Sequence, residues 1–284
     1  MSARLSPFIV SPDWLEARLG ASGLSIIDAS WYLPAHNRSG KAEYAEHHIP
    51  GAIFFDQDEI ADKTTGLPHS LPAPDFFASE MGKRGISEKD TIVVYDGPGF
   101  FSAPRVWWML RIMGAHEVFV LDGGFDGWKA TRRPVTSKTV QPEPVTFTPD
   151  FDTKRVTSFQ DMMQIVESGE KQIADARGAG RFAAEEAEPR PGMRSGHMPG
   201  AKNLPATAFS ENGHFRSLDE LDAMFRDAGI DLSGPVVTSC GSGVTAAIIT
   251  LALESLGHRD HSLYDGSWSE WGSRTDTPVV TGKA

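Results

Sequence analysis

The chain of 284 residues contains a single cysteine, an excess of acidic over basic residues, and no apolar run near the length of a membrane span. Each scarcity excludes a class of function. One cysteine cannot close an internal disulfide, and no C-x-x-C pair is present for zinc or dithiol chemistry. The nine histidines are scattered, so neither a metal site nor a cofactor is expected. With 27 Lys and Arg against 38 Asp and Glu, the net charge is −11. That balance speaks against a nucleic-acid or membrane-surface partner, which needs clustered cations. It leaves room for a small anionic substrate held by a few local arginines. The opening MSARLSPFIV lacks the apolar core of a secretory signal, and a cytoplasmic location is expected.

What is present repeats. SIIDAS (Ser25–Ser30) resembles KQIADAR (Lys171–Arg177), and HHIPGA (His47–Ala52) returns as GHMPGA (Gly196–Ala201). TIVVYDG (Thr91–Gly97) parallels PVVTSCG (Pro235–Gly241), and VLDGGFDGW (Val120–Trp128) parallels LYDGSWSEW (Leu263–Trp271). The paired positions Asp28 and Asp175, His48 and His197, Asp96 and Cys240, Gly123 and Gly266 lie 143 to 149 residues apart. Such colinear repetition marks two copies of one unit. The polar, proline-rich stretch Thr136–Arg155 reads as an extended connection. The boundaries read as 1–138 for the first copy, 139–155 for the linker and 156–284 for the second copy.

Within each copy short β-branched runs alternate with helical patterns. Strands are expected at Ser25–Asp28, Ala52–Phe55, Thr91–Tyr95 and Glu117–Leu121, and again at Gln172–Asp175, Lys202–Leu204, Val236–Ser239 and Ser262–Tyr264. Helices are expected from Trp14, at Ser102–Met113, Leu218–Asp227 and Val244–Leu256. This alternation predicts an α/β fold of two tandem domains, each a mostly parallel sheet flanked by helices.

The cysteine sits in SCGSGVTAA (Ser239–Ala247), between a strand and an apolar helix. Ligands of open parallel sheets lie beyond the carboxyl ends of the strands. Gly241 and Gly243 let the backbone turn its amides inward, and a helix N-terminus adds partial positive charge. Both favour a sulfur anion as nucleophile or as bound product. The residue a phosphatase loop needs as arginine is Ala246, and the P-loop lysine is missing. The loop therefore suits a sulfur anion better than a phosphate. A buried, inert cysteine is the competing account.

These blocks together, CGSGVT with VYDG, FFSAPRVWW and LDGG…W, resemble the tandem rhodanese-domain sulfurtransferases. CGSGVT resembles the 3-mercaptopyruvate branch of that family, whereas the thiosulfate branch carries basic residues in the loop. The resemblance implies that the second copy is catalytic and the first, with Asp96 in the cysteine position, is not. It implies that Cys240 carries a persulfide, with Ser242, His69 and Asp58 moving a proton. It implies that Arg181 and Arg190 bind the substrate beside the loop residues Gly241, Gly243, Val244 and Thr245. The activity implied is transfer of sulfur from 3-mercaptopyruvate to a thiol, thioredoxin or cyanide acceptor, releasing pyruvate.

Two rivals remain at this level: a thiosulfate sulfurtransferase, and a persulfide-relay module fed by a partner protein. A domain that only binds, with Cys240 inert, is a third. Solvated pairing with Glu185, Glu186 and Glu188 competes with substrate binding for Arg181 and Arg190. His48 and His197 occur in both copies and read as structural, and Trp268 and Trp271 read as core.

Overall fold

The structure, a computed structural model, describes residues 4–283. Its strands are β1 (Ile9–Val10), β2 (Leu24–Asp28), β3 (Ala52–Phe54), β4 (Thr91–Tyr95), β5 (Val118–Leu121) and β6 (Val156–Thr157). They continue with β7 (Gln172–Asp175), β8 (Ala201–Asn203), β9 (Ser210–Glu211), β10 (His214–Phe215), β11 (Val236–Ser239) and β12 (His261–Tyr264). The first sheet has the order β1-β5-β4-β2-β3 and the second β6-β12-β11-β7-β8. The two orders are the same when the copies are superposed, and every pairing in both sheets is parallel.

The buried central strands account for this form. All four residues of β11 are buried, as a parallel strand covered on both faces requires. The helix Ala246–Ser255 that follows is buried along its whole length. It packs on the Ala103–Ile112 helix, its counterpart in the first copy, so the two copies share one interior. Ser158 and Ser217 start their helices with reciprocal capping boxes. No helix among the described residues is long and apolar enough to cross a membrane.

Several features differ from the sequence expectation, among them the helices Pro74–Lys83 and Phe159–Ser168, which it did not name. The two loop-following helices begin at Ala103 and Ala246, later than expected, because the first turns belong to the loops. The short edge strands β1 and β6 have too few residues to show a period. The β9–β10 hairpin is a further element. The connection between copies is no free linker: Val145 donates to Gly82 O (2.9 Å), Asp150 to Met113 O (3.0 Å) and Asp152 to Ile112 O (2.8 Å). Phe147 plugs into the core of the first copy beside Phe77.

The copies also exchange arms. The Leu218 amide donates to Arg4 O (2.9 Å), and the Ser6 and Ser255 hydroxyls meet at 2.7 Å. In return the β9–β10 turn reaches the first copy, where Gly123 donates to Gly213 O (2.9 Å) and Phe215 to the Asp122 carboxylate (3.1 Å). The repeated histidines are structural. Each pairs its backbone with the exit of its own copy, His48 with Thr136 and His197 with Val280, and each ring bonds a backbone carbonyl.

Candidate active site

Cys240 follows the last residue of β11 and is 1% exposed. Its amide donates to Ser267 Oγ (3.1 Å), and its carbonyl accepts from Trp268 N (2.9 Å). The next carbonyl, of Gly241, accepts from both the amide and the hydroxyl of Ser269, at 2.8 and 2.6 Å. The loop thus rests on the start of the Ser267–Trp271 helix. The first copy is built alike: Phe125 N donates to Asp96 O and Asp126 N to Gly97 O, at 2.8 and 2.9 Å.

The two loops differ in what their amides face. In the first copy the Asp96 carboxylate accepts from the amides of Gly99 (2.6 Å), Phe101 (2.9 Å), Ser102 (2.7 Å) and Ala103 (2.7 Å). A carboxylate therefore fills the amide nest and satisfies the open N-terminus of the helix. Burial pushes the Asp96 carboxyl up, and these same donors oppose that shift. In the second copy the amides from Gly241 to Ala246 donate to no protein acceptor among the described residues, and the amide at the place of Ala103, that of Ala247, turns to the Val244 carbonyl (3.3 Å). Thr245 at the N-cap makes no side-chain cap. Where the first copy heads this loop with a carboxylate, the second heads it with the buried Cys240 thiol.

Gly243 is required by its backbone. Its φ is +78°, and a Cβ there would lie 2.8 Å from Asp265 O. Ser242 is nearly buried, and its hydroxyl makes no hydrogen bond to another described residue. Val244 is buried and Thr245 half-buried, both within the turn.

The remaining site residues converge from elsewhere. His69, in a long loop of the first copy, has a buried side chain and a left-handed backbone, φ +58°. Its carbonyl accepts from Arg105 Nη2 (2.8 Å), and Arg105 Nη1 reaches the Gly243 carbonyl at 3.4 Å. One guanidinium thus touches the histidine loop and the cysteine loop. Asp58 lies 3.3 Å from His69 Nδ1 but is not aligned as a hydrogen bond, and that nitrogen has no partner. The other Asp58 oxygen accepts from Trp31 Nε1 (3.1 Å), and the Trp31 ring meets the His69 ring edge-on at 4.6 Å.

Arg190 Nη1 donates to Ser269 Oγ at 3.3 Å and has no carboxylate partner among the described residues. Arg181 borders Gly241 and pairs with Glu188 at 3.4 Å. Glu188 also binds Arg177, which in turn grips Asp175 (both 2.7 Å). The acids beside these two arginines are thus only partly engaged: of Glu185, Glu186 and Glu188, Glu188 alone pairs with either among the described residues. Trp268 and Trp271 are fully buried in the core.

Burial first, then the charges of Arg105 and Arg190, push the His69 pKa down to about 4 from the usual 6.5, against an upward pull from Asp265. The ring is neutral at pH 7. Because the unfolded chain takes up this proton near 6.5 and the native state only near 4, stability falls as pH drops through that window. The full loss is on the order of 3 kcal/mol. Asparagine tolerates the left-handed backbone, so His69→Asn should remove that share of the acid sensitivity. Urea unfolding of both proteins at pH 7 and pH 4.5 checks this, and equal losses in the two would refute it.

Sequence reasoning passed over Arg105, Asp265, Ser267 and Ser269, while the expected competitor Glu188 does pair with Arg181. Arg105 and Asp265 form a buried pair between copies at 2.5 Å. The available signal was an arginine inside a helix otherwise apolar toward its neighbours, since a buried charge must find a partner.

The comparisons agree with this architecture. The Rhodanese-like domain model matches residues 11–131 and again 158–274. The chain is 42% identical to 3-mercaptopyruvate sulfurtransferase of Escherichia coli (strain K12), over 96% of this chain and 97% of that protein. It is 43% identical to thiosulfate sulfurtransferase of Gallus gallus, over 93% and 92% respectively. Among solved structures, SseA from Escherichia coli, a 3-mercaptopyruvate sulfotransferase, superposes with a TM-score of 0.85 at 40% identity, covering 93% of this chain and 99% of that one. With both copies matched, the strand order repeated and the relatives alike over nearly their full length, the chain belongs to the rhodanese-like family of sulfurtransferases.

Proposed function

We propose that this protein is a 3-mercaptopyruvate sulfurtransferase whose second copy, residues 156–284, carries the chemistry and whose first copy, 1–138, supplies His69 and Asp58. The observation that carries this is the pair of equivalent loops, one whose amides are filled by the Asp96 carboxylate and the other, headed by Cys240, whose amides have no acceptor among the described residues.

The Cys240 thiolate attacks the substrate sulfur. The S–S bond forms as the C–S bond breaks, and the electron pair passes into the adjacent carbonyl as pyruvate enolate. The proton that the new methyl group needs is the one the substrate thiol carried. Ser242 and the neutral His69 pass it across, leaving a Cys240 persulfide anion and pyruvate. The open amides of the loop stabilise that anion as they stabilise Asp96 in the other copy. No redox partner enters the balance. A thiol acceptor, thioredoxin or cyanide then removes the outer sulfur in a ping-pong cycle. A single cysteine doing this work suits a reducing, cytoplasmic compartment.

Local charge supports a keto-acid donor. Arg177 and Arg181 are balanced by Asp175 and Glu188, and Arg105 by Asp265. Arg190 remains without a carboxylate partner among the described residues, a single local cation that suits a monocarboxylate better than the thiosulfate dianion. Truncating it as Arg190→Ala should raise KM for 3-mercaptopyruvate about 10- to 100-fold, the worth of a charge-assisted hydrogen bond, with a far smaller change in kcat. Steady-state kinetics check this, and an unchanged KM removes the assignment.

The likeness to the chicken enzyme favours thiosulfate as a second donor. Intact mass spectrometry after exposure to each donor without acceptor decides. One sulfur added by 3-mercaptopyruvate alone supports the proposal. Equal loading by thiosulfate supports the second reading, and loading by neither points to a persulfide fed from a partner protein.

A further inference from the structure

We propose that Arg105 and Asp265 are a positioning pair that holds His69 of the first copy in register with the Cys240 loop of the second. This deepens the sulfurtransferase proposal and rests on its assignment of His69 to proton transfer.

The pair connects the two loops through four contacts. Arg105 lies on the Ala103–Ile112 helix, and only 1% of its side chain is exposed. Its Nη2 donates to the His69 carbonyl (2.8 Å) and to Asp265 Oδ1 (2.5 Å), while Nη1 approaches the Gly243 carbonyl at 3.4 Å. The second carboxylate oxygen of Asp265 accepts from the Leu71 amide at 2.7 Å. The chain on either side of Ser70 is therefore tied to one ion pair: His69 through Arg105, Leu71 through Asp265.

That arrangement explains two local oddities. His69 adopts a left-handed backbone although it is not glycine. Such a conformation persists where its surroundings over-determine it, and they commonly do so at functional sites. Gly243 in turn leaves no room for a Cβ because Asp265 and Arg105 stand against it. The guanidinium also stacks on the Trp108 ring at 4.7 Å, which fixes its plane. A buried pair whose only role was to join two domains would not need to grip the backbone of both reactive loops.

The pair also sets the charge around the imidazole. Arg105 and Arg190 disfavour its protonation, and Asp265 favours it, with Asp58 the remaining carboxylate nearby. Loss of the Arg105 charge therefore loosens the ring and makes it easier to protonate.

The test is single-turnover loading of Cys240 by 3-mercaptopyruvate in Arg105→Gln, Arg105→Lys and Asp265→Asn. A displacement of about 1 Å at a reacting group can slow chemistry about 10²-fold. Arg105→Gln should load about that much more slowly, with KM within about twofold of wild type. Lysine keeps the charge but not the fork, and should recover only part of the rate. NMR titration of the His69 ring should show its pKa higher in Arg105→Gln than in wild type. Alkylation of Cys240 by iodoacetamide reports the loop itself and should be little changed.

If Arg105→Gln melts earlier yet loads at the wild-type rate with an unshifted ring, the pair is a structural tie and the inference is wrong. If that variant does not fold, Asp265→Asn, which keeps an acceptor for Leu71, supplies the loading measurement and must be slowed for the inference to stand. Failure of wild type to load at all overturns the sulfurtransferase proposal instead. The ring titration then still shows whether Arg105 governs His69.

Discussion

Replacement of Cys240 by serine is expected to abolish sulfur transfer, a loss of at least about 10³-fold, while leaving the fold intact. A serine hydroxyl stays protonated at neutral pH, and its oxygen cannot carry a transferable sulfur. The effect on stability should be small. Cys240 is buried, and serine replaces its sulfur by a smaller oxygen without altering the backbone of the loop. The measurement is pyruvate release with excess acceptor, paired with far-UV circular dichroism. Activity above a tenth of wild type in a folded Cys240→Ser protein would remove the persulfide from the mechanism.

The largest effect on stability should follow from Arg177→Met. Arg177 is wholly buried, and its partners Asp175 and Glu188 are 2% and 1% exposed. Burial pulls its guanidinium toward neutrality, but the two carboxylates outweigh that and raise its pKa. Methionine fills most of the space and leaves two carboxylates without their main cation. Breaking a buried pair in this way costs about 3–5 kcal/mol. Glu188 would then draw closer to Arg181, so KM for the substrate should rise as well. Urea unfolding gives the first quantity, and a loss below about 1 kcal/mol would show the network to be dispensable. The first copy shows what the absence of such an arginine does. Ser30 stands at the position of Arg177, and burial raises the Asp28 carboxyl to about 6.

The sequence made some of this plain and hid the rest. The cysteine loop was legible because glycines punctuate the junction of a β-branched run and an apolar helix. The tandem organisation was legible because Asp28, His48, Asp96 and Gly123 each have a counterpart at nearly the same distance. His69 and Asp58 were not legible from spacing. A loop without regular structure carries them, and only the family resemblance singled them out. Arg105 and Asp265 lie 160 residues apart, and no periodicity links them. The β9–β10 hairpin did leave a trace, the Asn212-Gly213 pair between short strands, whose φ values are +52° and +81°. Its strands are of two residues each and carry no hydrophobic alternation to support that turn signal.

The exchanged arms and the strap of residues 139–155 bear on traffic. Each half holds a limb of the other, so a wide hinge motion would have to break several hydrogen bonds between the halves at once. On the proposed function, substrate and sulfur acceptor would therefore have to reach Cys240 with the halves still joined. A keto acid or cyanide is small enough for such a route. A protein acceptor has to offer its thiol on a slender projection, and that selects among thiol proteins by shape before any chemistry occurs.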